Sequence, residues 1–176
     1  SAIRPEGEYP FQAYFYYPLT AALAALPFTL LPALPAGALF FGVSSGLLAF
    51  ALLAEGRRRM AVFLSAPYWV ALAVAQWSPL LMAAALLPGL GWLLACKPNL
   101  GLAGFVYHPN RITLIGGLIF GLASLLVRRS WPWEWLAVLG TLEGHPPAAL
   151  ILPAGPLLLL AALRWRTPEG RLLLAL

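Results

Sequence analysis

The sequence predicts an all-α protein, a polytopic transmembrane helical bundle of about six spans with a short tryptophan-rich segment at an interface. Three observations predict it. Of 176 residues, 61% are hydrophobic and 10% charged, with a mean hydropathy of +0.83; a soluble domain has roughly 45–50% and 25%. The apolar residues fall in runs of span length without the alternation of a half-buried strand, and in lipid a helix satisfies its own backbone. The cations, almost all arginine, sit at the ends of those runs.

The elements follow from the punctuation. Residues 1–15 form a polar N-terminal segment with Arg4, Glu6 and Glu8 and without the apolar stretch of a signal peptide. Span one is expected over 16–33 and span two over 36–54, closed by Glu55, Gly56 and the triplet Arg57, Arg58 and Arg59. Span three, 60–75, is divided by Gln76, Trp77 and Ser78 from span four, 79–96. After a polar break over 97–111 comes span five, 112–127, closed by Arg128 and Arg129, and then span six, 147–163. Residues 130–144 are too short and mixed to span and are expected to lie at the interface, and 164–176 form a C-terminal tail.

Charge then orients the bundle. With Arg57 to Arg59 in the cytoplasm, six spans put Arg4, Lys97, Arg111, Arg164, Arg166 and Arg171 there too and leave Arg128 and Arg129 outside. Such an asymmetry predicts a bacterial inner-membrane protein with both termini cytoplasmic. A pI near 9.9 is compatible with nucleic-acid binding, yet Lys97 is the one lysine and the arginines mark helix ends, so no nucleic-acid partner is expected.

Packing seams are expected at two GxxxG pairs, Gly42 with Gly46 in span two and Gly117 with Gly121 in span five. Trp131, Trp133 and Trp135 read as an aromatic belt, or as a platform for a pigment or lipid. Seventeen prolines are many for so helical a chain. Pro27, Pro32 and Pro35 disturb the end of span one, and Pro153 and Pro156 kink span six.

Groups able to do chemistry are sparse. All six acids are glutamate and Asp is absent. Cys96 is the single cysteine, so no intrachain disulfide forms, and with His108 and His145 it does not make a tetrahedral metal set. The two histidines are remote candidates for a haem or chlorophyll ligand. No cofactor is expected, while a bound lipid or pigment remains compatible. Lys97, Pro98 and Asn99 form a rigid polar step that, with Arg111 and His108 across the same loop, suits the phosphate of an anionic lipid. Alternatively Lys97 snorkels to the interface. Nucleotide-binding and hydrolase signatures are not present.

Three stretches together resemble a known family. Phe15-Tyr16-Tyr17-Pro18-Leu19, Gln76-Trp77-Ser78-Pro79-Leu80-Leu81 and Lys97-Pro98-Asn99-Leu100 are similar, in order and content, to segments of membrane-embedded C-class glycosyltransferases that use polyprenyl-phosphate mannose. The resemblance covers roughly residues 16–102. It implies a multi-span helical scaffold and a lipid-phosphate sugar donor, with Tyr17 at the edge of the active cavity, Gln76 at the opposite break and Lys97 near the donor phosphate. The family's catalytic Asp has no counterpart in a chain without Asp, so Glu6 or Glu8 would have to serve as general base.

Two functions therefore stand. One is a noncatalytic accessory subunit packing among other subunits and membrane lipids in a larger complex, such as a respiratory or photosynthetic one. The other is a compact or truncated glycosyltransferase. A small transporter would call for internal repeats, and none is evident.

Overall fold

The structure is a computed structural model that describes residues 17–141 and 155–175. The polar N-terminal segment, Tyr16, Glu143, His145 and the first half of span six (147–154) lie outside the described residues. Every element among the described residues is helical, as the composition predicts. In chain order the α-helices are α1 Leu19–Ala25, α2 Ala33–Glu55, α3 Ala66–Ala73, α4 Ser78–Leu86, α5 Pro98–Tyr107, α6 Arg111–Val127, α7 Trp131–Thr141 and α8 Pro168–Ala175. Tighter 3₁₀ segments join them at Leu26–Leu30, Arg57–Leu64, Pro88–Cys96 and Gly155–Arg164.

Proline sets these lengths. The residue before a proline is pushed out of the α region, and the proline starts a new helix without needing an N–H partner. Leu31 before Pro32 and Leu87 before Pro88 are extended, and Lys97 before Pro98 is likewise outside the α region. Span four is thus cut at Pro88 into α4 and a 3₁₀ segment of nine residues each. Pro35 falls in the first turn of α2, where its missing N–H costs nothing, so α2 runs on for 23 residues. It ends at Gly56, whose φ of +129° is open to glycine alone. Asn110 caps α6, its Oδ1 accepting from the Thr113 amide at 2.7 Å.

Among the described residues α2 is the one helix long and apolar enough to cross a membrane, about 35 Å end to end. Two pairs pass the same test only if each is taken as one broken span. Ala66–Ala73 with Ser78–Leu86 turns through 120°, and Arg111–Val127 with Trp131–Leu139 turns through 100°. Six continuous spans are therefore not recovered here. Summing hydropathy over a window hides breaks that a single proline or a reversed turn imposes.

The contacts arrange the elements up and down between two ends. At the first, Phe40 on α2 packs on Trp77 with ring centroids 4.9 Å apart. At the second, Arg59 follows the end of α2 and its Nη1 donates to the Tyr107 hydroxyl at the end of α5, 3.1 Å away. The core between them joins Ala21, Phe40, Leu80, Leu81, Ala84, Leu93, Leu94 and Cys96. A second cluster of Leu48, Leu52 and Ala83 continues it toward Arg59.

The glycines that pack closely are not the ones expected. A Cβ at Gly91 would collide with Thr113 of α6, and one at Gly116 would lie 3.0 Å from the Trp92 Cβ. A Cβ built at Gly42, Gly46, Gly117 or Gly121 meets nothing within 4 Å. Among the described residues the expected GxxxG positions are thus open. The 3₁₀ segment Pro88–Cys96 lies against the Thr113 and Gly116 side of α6 instead. The tryptophans also divide: Trp131 and Trp135 pack on Leu19 and Ala22 of α1, and Trp133 is 74% exposed.

Candidate functional site

At the first end, three segments far apart in sequence converge. The Tyr17 hydroxyl donates to Gln76 Oε1 at 3.3 Å. The Lys97 ammonium lies 5.4 Å from the centroid of the Tyr17 ring, within cation–π range. Trp77 flanks the same ring at 6.1 Å between centroids. These residues close a polar and aromatic cluster at the edge of the core.

Each member is held by local geometry. Thr20, buried on the first turn of α1, donates from Oγ1 to the Ala95 carbonyl at 2.8 Å, and the Cys96 thiol points at the Thr20 carbonyl at 3.7 Å. That bond fastens the chain after Tyr17 to the chain before Lys97. Lys97 itself forms the joint between the segment Pro88–Cys96 and α5, its carbonyl accepting from the Gly101 amide at 2.7 Å. A Cβ at Gly101 would run into the Leu94 carbonyl, so this joint requires glycine.

Gln76 is placed by the end of α3. Its amide donates to the Ala71 carbonyl at 2.8 Å and the Ala75 amide to the Leu72 carbonyl at 3.2 Å. Ala75 has φ +47°. This is the paired hydrogen-bond pattern that ends many helices on a left-handed residue, here with alanine where glycine is usual. The left-handed conformation costs alanine about 1–2 kcal/mol. The strain turns the chain through the reversal that presents Gln76 to Tyr17.

Electrostatically the cluster is a partly desolvated cation. Burial pushes the Lys97 ammonium below its ordinary value. Among the described residues no carboxylate pairs with it: Glu55 pairs with Arg59 at 3.4 Å and Glu134 with Arg128 at 2.8 Å. Glu169 lines a cavity with Arg59 and Tyr107.

Of the residues expected around Lys97, the structure brings in Tyr17 and Gln76 and keeps Arg111 and His108 away. Residues 98–107 are helix α5 and not a loop, so Lys97 and Arg111 stand at opposite ends of it, roughly 15 Å apart. Pro98 starts that helix, and Gly101 and Gly104 let it lie against Leu94. Asn99 is exposed on its first turn, His108 is exposed at its C-terminus, and Arg111 is exposed at the start of α6. Sequence reasoning misses Thr20, which carries no motif of its own, and gives Ala75 and Trp77 no role beyond flanking Gln76.

Among the described residues no three His, Cys, Asp or Glu side chains come together as metal ligands. Comparison of the chain with protein families, with characterised proteins and with solved structures finds no match.

Proposed function

We propose that this chain is a noncatalytic accessory subunit of a larger membrane assembly. The observation that carries the reading is the open small-residue face on the two longest helices. Among the described residues, a Cβ on Gly42 or Gly46 of α2 or on Gly117 or Gly121 of α6 meets nothing within 4 Å. Small residues left open on long apolar helices suit the close approach of a partner helix, because lipid supplies no hydrophobic drive of its own. The bent pairs then count as broken spans that pack beside α2. The end bearing Arg57, Arg58, Arg59 and Arg111 is the cytoplasmic one, and the Tyr17–Gln76–Lys97 cluster faces the other side of a bacterial inner membrane. Trp133 supplies the interfacial anchor.

Purification from native membranes in mild detergent tests this. The chain is expected to run in a particle well above its own 18.9 kDa with stoichiometric membrane partners. Gly46→Leu and Gly121→Leu should release those partners while the chain stays folded. A monodisperse monomer overturns the reading.

The meeting of Tyr17, Gln76 and Lys97 favours a second reading, since these are the three positions that the glycosyltransferase resemblance brings forward. In it, Lys97 holds the phosphate of a polyprenyl-phosphate sugar donor, and Glu6 or Glu8 supplies the base. Transfer of mannose from a synthetic polyprenyl-phosphate mannose by the purified chain, abolished in a Glu6→Gln, Glu8→Gln double variant, would establish it. Absence of transfer by the native assembly would remove it.

A further inference from the structure

A cavity of about 510 Å3 opens between α2, α4, α5 and α8. Leu52, Leu81, Met82, Leu100 and Ala103 form its walls. Ala85 and Gly104 close its floor, where a Cβ on Gly104 would stand 3.1 Å from that of Ala85. Its long direction follows α5 from Leu100 to Tyr107, about 10 Å. Arg59, Tyr107 and Glu169 make one end polar and charged, and the hydroxyl-bearing Ser78 at the start of α4 lies toward the other.

Depth and chemistry together identify an occupant. Arg59 lies just past the end of α2, the helix able to cross a membrane, so the polar end sits at headgroup level and the apolar slot runs inward from it. Among the described residues, the bonds of Arg59 to Glu55 and to Tyr107 both use Nη1. Its Nη2 and Nε remain for an anion from outside the chain, and a guanidinium can donate to two oxygens of a phosphate at once. Arg57 and Arg58 on the same 3₁₀ turn, and Arg111 four residues after Tyr107, add positive charge beside the two glutamates. We propose that this cavity holds one acyl chain of an anionic phospholipid, with its phosphate on Arg59 and Tyr107.

The test uses the purified full chain in detergent with phosphatidylglycerol carrying a diazirine on one acyl chain, and peptide mapping of the adducts. Label is expected on residues 78–86 and 100–107. Phosphatidylglycerol should exceed the phosphatidylcholine analogue by about fivefold, a preference that Arg59→Gln removes. Met82→Trp, at a position 44% exposed, should fill the slot and cut the label severalfold. Leu100→Trp gives the same reading from the other end if the first variant does not fold. Phe50→Trp, on the exposed side of α2, should change nothing. Label spread over the outer faces of α2 and α6, or label in the slot that ignores Met82→Trp and headgroup charge, overturns the proposal.

Discussion

The Lys97 ammonium sits 5.4 Å from the centre of the Tyr17 ring, although eighty residues of chain separate them. The contact joins a cation with no carboxylate partner among the described residues to an aromatic face that partly offsets its desolvation. An ammonium so placed gains most from an anion that arrives from outside the chain. Lys97 should therefore bind phosphate-bearing lipid more tightly than a freely solvated lysine does.

The pH dependence follows from burial. Desolvation lowers the folded-state pKa of Lys97 below the value of about 10.5 that it has when unfolded. The unfolded chain then holds the proton more tightly, so on the contribution of this group stability rises with pH between the two values. Binding of an anionic polyprenyl phosphate moves the opposite way and fades as Lys97 loses its proton, earlier than for an exposed lysine. Unfolding midpoints from pH 7 to 11 check the first, and a binding titration over the same range checks the second. Lys97→Ala should lose about tenfold in affinity and all of the pH dependence, and unchanged binding would remove Lys97 from the site.

Ala75→Gly should stabilise the protein by about 0.5–1 kcal/mol. Relief of the left-handed strain on alanine exceeds the entropy that glycine adds to the unfolded chain. Thermal unfolding in detergent reads it. A loss of stability would mean that the turn before Gln76 is not left-handed.

Gly91→Ala should cost about 2 kcal/mol or more, because the new methyl meets Thr113 on a packed helix. Gly42→Ala should leave the isolated chain unchanged or up to about 1 kcal/mol more stable, since it adds helix propensity in open space. Comparing the two by thermal unfolding separates seams inside the chain from faces left open.

Cysteines introduced at Arg58 and at Asn99 should label from opposite sides of the membrane, with the native Cys96 buried and silent. A loop over 97–111 between six continuous spans puts both on one side. Labelling of both from the same side would restore that arrangement.

Much of the fold was legible in the sequence, in uneven ways. Composition and the ends of the apolar runs give the helical class, and α2 and α6 fall within three residues of their expected bounds because caps and arginines mark them. The region 78–107 was misread, since hydropathy averaged over a span passes across Pro79, Pro88 and Pro98. Their spacing of nine and ten residues is the signal that cuts this stretch into three short elements. For the site, Tyr17, Gln76 and Lys97 were each visible as residues at breaks. Arg111 was misplaced because a helix stood where a loop was expected. The strain at Ala75 and the bond from Thr20 to Ala95 leave no trace in sequence, as each depends on a backbone path fixed only when the segments meet.

The open faces of α2 and α6 are where a partner helix would lie, and photo-crosslinking in native membranes reads them most directly. A photoreactive residue at Val43, 47% exposed beside Gly42, or at Leu118, 58% exposed beside Gly117, reports what lies against them. A discrete protein adduct of one mass, lost in Gly46→Leu or Gly121→Leu, is the predicted result. Adducts to lipid alone, from both positions, would contradict it.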